Sequence, residues 1–97
     1  MEIYFRDKKL QRLVEDERLL VKTLGKIRSN ILLRRLDDMA VANSVTLLKS
    51  LPGRFHELTG NRNGQWACDL DHPYRLVFEV EGETTVNIIE IIDYHGK

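Results

Sequence analysis

The apolar residues of this chain repeat with two different periods, and the change between them restricts the fold more than any other feature. Before Pro52-Gly53 they recur at spacings of three and four, which is typical of amphipathic helices. From Arg54 onward they alternate with polar residues, which is typical of strands with one covered face. A short apolar run at residues 3–5 predicts one further strand at the start.

Local signals in the first half predict where its helices begin and end. Asp7 has the carboxylate needed to cap a first helix, and Gly25 lowers helix stability enough to mark a boundary. Residues 15–18 are too charged for the core and indicate a break. Asn43 is a candidate cap for a last short helix that stops near Pro52-Gly53.

Three strands are predicted in the second half. Residues 65–70 and 74–80 form a pair joined by Asp71-His72-Pro73, and the run at 86–92 follows a hairpin turn. The last run is apolar on both faces, with simple alternation grouping Ile88 with Ile92, so we expect it inside the sheet. The whole pattern predicts an α+β fold: a small antiparallel sheet, made of the N-terminal strand plus three or four C-terminal strands, with two or three helices packed on one face.

Size and charge limit the possible functions. The chain has 97 residues, and we expect residues 1–97 to form one domain. Its net charge is zero, but residues 1–51 hold eleven basic and seven acidic residues, whereas residues 52–97 hold four and eight. This uneven distribution is a modest argument for an anionic partner. The charged start and the lack of long apolar runs predict a cytoplasmic protein without a membrane span.

The sequence does not indicate a metal site or a cysteine nucleophile. The spacing of His56, His72 and His95 matches no compact ligand pattern, and no second cysteine is available to Cys68. Cys68 alternates in phase with Trp66, so we expect both in the core. We therefore expect no metal and no cofactor.

Histidine, arginine and tyrosine near the strand ends are suited to metal-free cleavage of RNA. Such cleavage needs a base for the ribose 2′-hydroxyl, an acid for the leaving 5′-oxygen and cations for the phosphorane. His56 and His95 are candidates for the proton transfers, and Arg75 for the phosphate. Asp93 shares one side of an extended strand with His95, while Tyr94 faces the other side and can stack on a base.

Purely structural roles remain open for the same residues. His56 can be a surface histidine near a turn, and His72 fits a structural role in its loop better than a catalytic one. Arg75 projects from the polar face of its strand and can simply pair with Glu79 or Asp69. The basic residues of the predicted helices are more typical of a solvated face than of a binding surface; they are Lys22, Lys26, Arg28, Arg34 and Arg35.

Three segments resemble the HigB-type plasmid maintenance killer toxins of the RelE/ParE superfamily. They are Gly60-Asn61-Arg62-Asn63-Gly64-Gln65-Trp66, Tyr74-Arg75-Leu76-Val77-Phe78-Glu79 and Ile89-Glu90-Ile91-Ile92-Asp93-Tyr94-His95. The resemblance extends over essentially the whole chain. It implies a toxin of a type II toxin–antitoxin pair that cleaves mRNA in the ribosomal A site.

The resemblance also implies roles and partners. His56, Arg75, Asp93, Tyr94 and His95 would form the catalytic site. In addition, Arg62 would touch the RNA backbone. The implied partners are a helix-turn-helix antitoxin of the HigA kind, the ribosome with its mRNA, and operator DNA only through the antitoxin complex. Two alternatives remain, because a fold does not fix a function: a ParE-like gyrase inhibitor, and an inactive toxin-derived module that binds an antitoxin or DNA.

Overall fold

The structure is a computed structural model that describes residues 1–94, and it confirms the α+β class. His95, which the sequence nominates for catalysis, lies outside the described residues. The strands are β1 (Glu2–Phe5), β2 (His56–Glu57), β3 (Gln65–Asp69), β4 (Tyr74–Glu81) and β5 (Thr85–Asp93). The helices are α1 (Lys8–Glu15), α2 (Glu17–Leu24) and α3 (Lys26–Val41), followed by 3₁₀ segments at Val45–Ser50 and Gly60–Arg62.

The strands form one sheet in the order β1-β5-β4-β3-β2, which places β5 inside the sheet as predicted. The sheet is mixed rather than wholly antiparallel, because β1 pairs with β5 in parallel, with Ile3 opposite Val86. The other pairs are antiparallel. Parallel neighbours require a long connection, and here it runs from β1 through the helices and then through β2, β3 and β4 to β5.

The helix boundaries follow local chemistry. The Asp7 carboxylate accepts from the Leu10 amide at 2.8 Å and caps α1, as predicted. Asp16 caps α2 in the same way, accepting from the Leu19 amide at 3.1 Å. Gly25, with φ of 86°, separates α2 from α3. The prediction for Asn43 was wrong: the last helical segment is a 3₁₀ turn preceded by Ser44, with no side-chain cap. No helix within residues 1–94 is both long enough and apolar enough to cross a membrane.

All three helices pack against one face of the sheet, which we call the covered face. The apolar side chains that this packing buries form one cluster, and Trp66 and Cys68 belong to it as predicted. Phe78 lies at its centre, fully buried, with its ring 6.0 Å from that of Phe55 and 6.2 Å from that of Trp66. The opposite face, which we call the open face, carries the candidate site.

A β-bulge in β5 changes which residues point to which face. Val77 and Phe78 are neighbours on β4, yet they pair with Glu90 and Ile88, so Ile89 is an extra residue. The predicted grouping of Ile88 with Ile92 was therefore wrong, and Ile91 packs with the core instead. The bulge places Glu90 on the open face and determines which side each residue at the end of β5 occupies.

Candidate active site

Strand register places three chemically capable residues on the open face. His56 on β2 is opposite Ala67 on β3, and Asp69 lies two residues further along β3 on the same side. Asp69 is in turn opposite Arg75 on β4. Since side chains alternate along a strand, His56, Asp69 and Arg75 all project from the face that the helices leave free. The sheet thus places two of the predicted site residues, His56 and Arg75, on the same face as the Asp69 carboxylate.

The Asp69 carboxylate contacts two arginines. Arg54 donates from Nε to Oδ2 at 2.7 Å, and Arg75 Nε lies 3.3 Å from Oδ1. The second contact is an ion pair without hydrogen-bond alignment, so within residues 1–94 the buried Oδ1 has no hydrogen-bond donor. Sequence reasoning gave Arg75 the choice of Glu79 or Asp69, and the structure selects Asp69. Arg75 is therefore attracted to Asp69 but held less firmly than Arg54.

The loop before β2 is shaped to present Arg54. Gly53 and Arg54 both have positive φ, of 111° and 54°. The Asp69 amide donates to the Gly53 carbonyl at 2.7 Å, and Arg35 of α3 donates from Nε to the Asp69 carbonyl at 2.8 Å. A Cβ at residue 53 would collide with the Arg35 guanidinium, so only glycine fits there.

The backbone of Arg54 also fixes the tautomer of His56. Nδ1 of His56 lies 2.7 Å from the Arg54 carbonyl oxygen. A carbonyl can only accept, so Nδ1 carries the proton and donates it to this bond. In the neutral ring, Nε2 then holds the lone pair. His56 is half-buried, and its orientation thus leaves one nitrogen available for a proton transfer.

The end of β5 brings Tyr94, but not Asp93, to the Arg75 side. The Arg75 guanidinium lies 4.3 Å from the centre of the Tyr94 ring, and the Tyr94 amide donates to the Pro73 carbonyl at 3.0 Å. Asp93 is opposite Tyr74, whose side chain belongs to the covered-face side. The two residues face opposite ways, as strand alternation predicts, and the bulge decides which way each one faces.

Arg62, the predicted RNA contact, bridges two strands across the open face. It donates from one terminal nitrogen to Gln65 of β3 at 2.7 Å and from the other to Glu90 of β5 at 2.5 Å. Its side chain is 38% exposed. A phosphate would therefore compete with Glu90 for this guanidinium.

An open pocket of about 380 Å³ lies at the β3–β4 end of the sheet. Arg54, Asp69, Arg75 and Tyr94 contribute to its wall, together with His72 from the loop that joins the two strands. His56 is not among the lining residues and is linked to the pocket through Arg54. Within residues 1–94, no three histidine, cysteine, aspartate or glutamate side chains are grouped as metal ligands.

On the covered-face side, the same loop is fastened to α3 by Arg28. Arg28 donates to both Asp71 oxygens, at 2.8 and 3.0 Å, and its guanidinium lies 3.4 Å from the centre of the Tyr74 ring. The hydrogen bond to Asp71 raises the pKa of Arg28. Arg28 and Arg35 therefore connect the helix to the sheet, so the prediction of a solvated basic face was wrong for these two residues.

Sequence reasoning assigned no site role to Arg54 or Asp69, although it named Asp69 as a possible partner of Arg75. One signal for Asp69 was available, because a three-residue loop at 71–73 that is closed by Leu70 and Tyr74 puts Asp69 opposite Arg75. For Arg54 there was only its position after Pro52-Gly53, where a turn was expected. Its contact with Asp69 spans fifteen residues and depends on tertiary structure.

Comparison with known proteins identifies the family. Residues 3–95 match the model of the HigB-like toxins, described as the RelE-like toxin of type II toxin–antitoxin system HigB. The chain belongs to the HigB-like toxin family. It is also 32% identical over 83 residues to Toxin HigB-1 of Vibrio cholerae, an alignment that covers 81% of this chain and 83% of that protein.

Solved structures show the same fold for this HigB-like toxin. The YoeB-YefM complex from Staphylococcus aureus matches with a TM-score of 0.65 and 18% identity, covering 98% of this chain and 97% of that one. The YoeB/ParE toxin from Agrobacterium tumefaciens matches with a TM-score of 0.58 and 15% identity, covering 98% and 100%. At these identities the likeness concerns the fold alone.

Proposed function

We propose that this HigB-like toxin is a ribosome-dependent mRNA endonuclease that cleaves without a metal ion. The observation that carries the proposal is the open face itself. There, His56 is held in one tautomer, and Arg75 on the same face is only loosely paired with a carboxylate. Family membership supports the toxin role, and the arrangement of the face supports proton transfer at a phosphodiester.

In the proposed reaction, His56 acts as the base and Arg75 stabilises the developing charge. Nε2 of His56 takes the proton of the ribose 2′-hydroxyl, whose oxygen attacks the adjacent phosphorus. The bond to the 5′-oxygen breaks, and His95 protonates that oxygen as it leaves. The products are a 2′,3′-cyclic phosphate and a 5′-hydroxyl end. Arg75 donates to the equatorial oxygens of the phosphorane, where charge is greatest.

The neighbouring residues bind and orient. Tyr94, already in contact with the Arg75 guanidinium, offers an aromatic face for stacking by an unpaired base. Arg62 contacts the RNA backbone once a phosphate competes successfully with Glu90. Asp93 lies on the Tyr74 side of β5, away from Arg75, so we assign it no step at the phosphate.

The proposed partner is a helix-turn-helix antitoxin of the HigA kind, which neutralises the toxin and brings it to operator DNA. A related fold is found in a toxin–antitoxin complex, YoeB-YefM from Staphylococcus aureus. The ribosomal A site and its mRNA are the proposed target, and the cytoplasm is the proposed location.

The test is cleavage of mRNA on programmed ribosomes by the purified protein, with the new ends mapped by primer extension. We expect cuts that appear only when ribosomes are present, with cyclic phosphate on the upstream fragment. Intact mRNA over the whole time course would refute the endonuclease. DNA damage signalling in cells with intact mRNA would instead identify a gyrase inhibitor, and harmless expression without an antitoxin would identify an inactive module.

The residue roles are tested by Arg75→Ala, His56→Ala and His95→Ala. Each should lower the cleavage rate by about 10²-fold or more, because each removes a charge stabiliser or a proton-transfer group. The control is Arg6→Ala, which removes an equal charge from an exposed pair with Asp7. A variant that cleaves at the wild-type rate loses its assigned role.

A further inference from the structure

Arg54 has the contacts of a preorganised anion-binding residue. Its Nε is bound to Asp69 at 2.7 Å, while the side chain as a whole is 68% exposed. A guanidinium held through Nε keeps its two terminal nitrogens for a ligand, and these donate to two oxygens of a phosphate at once. Because Arg54 also lines the pocket that contains Arg75 and Tyr94, such a ligand would lie beside the reacting groups.

The backbone at Arg54 supports a role beyond structure. Its φ of 54° lies in the left-handed region, which a residue with a Cβ adopts only at a cost. Glycine would adopt this conformation without strain. An arginine kept at a strained position, with its side chain mostly in solvent, indicates that the side chain is used.

We propose that Arg54 is a second phosphate-binding residue of this pocket and that Asp69 is the positioning residue that spaces it from Arg75. The proposal rests on the proposed function for its substrate, a single-stranded RNA. Asp69 contacts the two arginines through different carboxylate oxygens, so one carboxylate holds both guanidinium groups at the same end of the open face. Arg54 binds a backbone phosphate of the bound strand, whereas Arg75 stabilises the charge on the phosphate that reacts.

The two contacts with Asp69 explain this division of labour. Arg54 makes an aligned hydrogen bond and is fixed before RNA arrives, so its effect belongs to binding. Arg75 has no aligned bond to Asp69 and can turn toward an oxygen whose charge grows during the reaction. Loss of Arg54 should therefore weaken binding, and loss of Arg75 should mainly slow cleavage.

The test is binding of a fully 2′-O-methylated oligoribonucleotide, which offers phosphates but cannot be cleaved. Fluorescence anisotropy at several KCl concentrations would give the dissociation constant and its salt dependence. Arg54→Gly removes the side chain but suits the positive φ. We expect a dissociation constant raised about tenfold and a salt slope reduced by about 0.7, the value for one phosphate contact on a single strand.

Two further variants separate this role from general charge. Arg54→Lys restores the charge without the fork and should recover only part of the affinity. Arg6→Ala removes a charge from a pair of similar geometry outside the pocket, with Nε 3.0 Å from Asp7, and should change affinity less than about twofold. Thermal unfolding of Arg54→Gly should occur at the wild-type temperature or above it, whereas a purely structural Arg54 would lower it.

The outcomes separate this inference from the proposed function. The inference would be overturned if the dissociation constant of Arg54→Gly equals that of wild type, or rises no more than that of Arg6→Ala. This holds even if ribosome-dependent cleavage is observed. Absence of cleavage by the wild type would remove the endonuclease, but a selective loss of binding in Arg54→Gly would still support the phosphate contact. No measurable binding of the oligonucleotide by the wild type would overturn the inference outright.

Discussion

Two arginine–aspartate contacts lie at the same end of the sheet, on opposite faces. They differ in how many guanidinium donors remain without a protein partner. On the covered-face side, Arg28 forms a bidentate pair with Asp71 and contacts the Tyr74 ring, and its side chain is 21% exposed. On the open face, Arg54 and Arg75 each place Nε against a different oxygen of Asp69.

The difference shows that an arginine–carboxylate pair can serve either to hold the fold together or to position an arginine for a ligand. Arg28 donates to both oxygens of Asp71 and stacks on the Tyr74 ring, so its donors are already used in holding the β3–β4 loop. Arg54 is held through Nε and is 68% exposed, which leaves its terminal nitrogens for the phosphate that we propose. We therefore expect substitutions on the covered face to change mainly stability, and those at Arg54 to change mainly binding.

The largest loss of stability should come from a substitution at the centre of the covered face. Phe78→Ala removes a fully buried ring that packs against Phe55 and Trp66, and we expect a loss of about 3–5 kcal/mol of unfolding free energy. The next residue, Glu79, points to the open face, so Glu79→Ala should cost less than about 1 kcal/mol. Denaturant unfolding of both variants measures the contrast. Equal losses of unfolding free energy would contradict the view that stability comes mainly from the covered face.

Arg28 should produce the next largest effect, and on stability. Arg28→Ala removes two charge-assisted hydrogen bonds in a partly buried setting, for which we expect a loss of about 1–3 kcal/mol. Arg28→Lys keeps the charge but not the bidentate geometry and should restore less than half of that loss. Chemical denaturation is the measurement, with Arg6→Ala as the exposed-pair control, expected within about 1 kcal/mol of wild type. A loss no larger than that of the control would show that the clamp is dispensable.

The smallest effect should come from ionisation of Cys68, which changes the free energy of unfolding only at high pH. Burial raises the pKa of the Cys68 thiol from 9.0 to about 12. A raised pKa in the folded state stabilises below pH 9, and this stability is lost as pH rises from 9 toward 12. Cys68→Ala should therefore lose less stability than wild type over that range. Parallel unfolding curves for the two proteins from pH 7 to 11 would contradict the assignment of a buried, neutral thiol.

The sequence predicted much of the fold because its signals are local. Alternation from residue 65 onward predicted the strands, and the Asp7 carboxylate and Gly25 predicted helix boundaries that the structure confirms. The parallel pairing of β1 with β5 was not predicted, because strand pairing between distant segments leaves no periodic trace. The bulge at Ile89 was missed for a related reason: one extra residue changes the phase of alternation without changing composition.

The candidate site was only partly predictable. Motif resemblance identified His56, Arg75 and Tyr94, and the structure places His56 and Arg75 on one face and the Tyr94 ring against Arg75. Arg54 and Asp69 escaped because their contact joins a turn to a strand fifteen residues away. The roles of these residues, and of His95 beyond the described part of the chain, remain proposals for the experiments above.

The amino-acid sequence by itself determined the α+β class, the buried character of Trp66 and Cys68, and the chemical types available for catalysis. These follow from the hydrophobic period and the residue types, both of which can be read from short stretches of sequence. Only the tertiary structure decided which arginines are already occupied and which still offer donors to a ligand. That distinction depends on Asp71 lying beside Arg28 and Asp69 lying between Arg54 and Arg75, and distances between side chains are set by packing rather than by order along the chain.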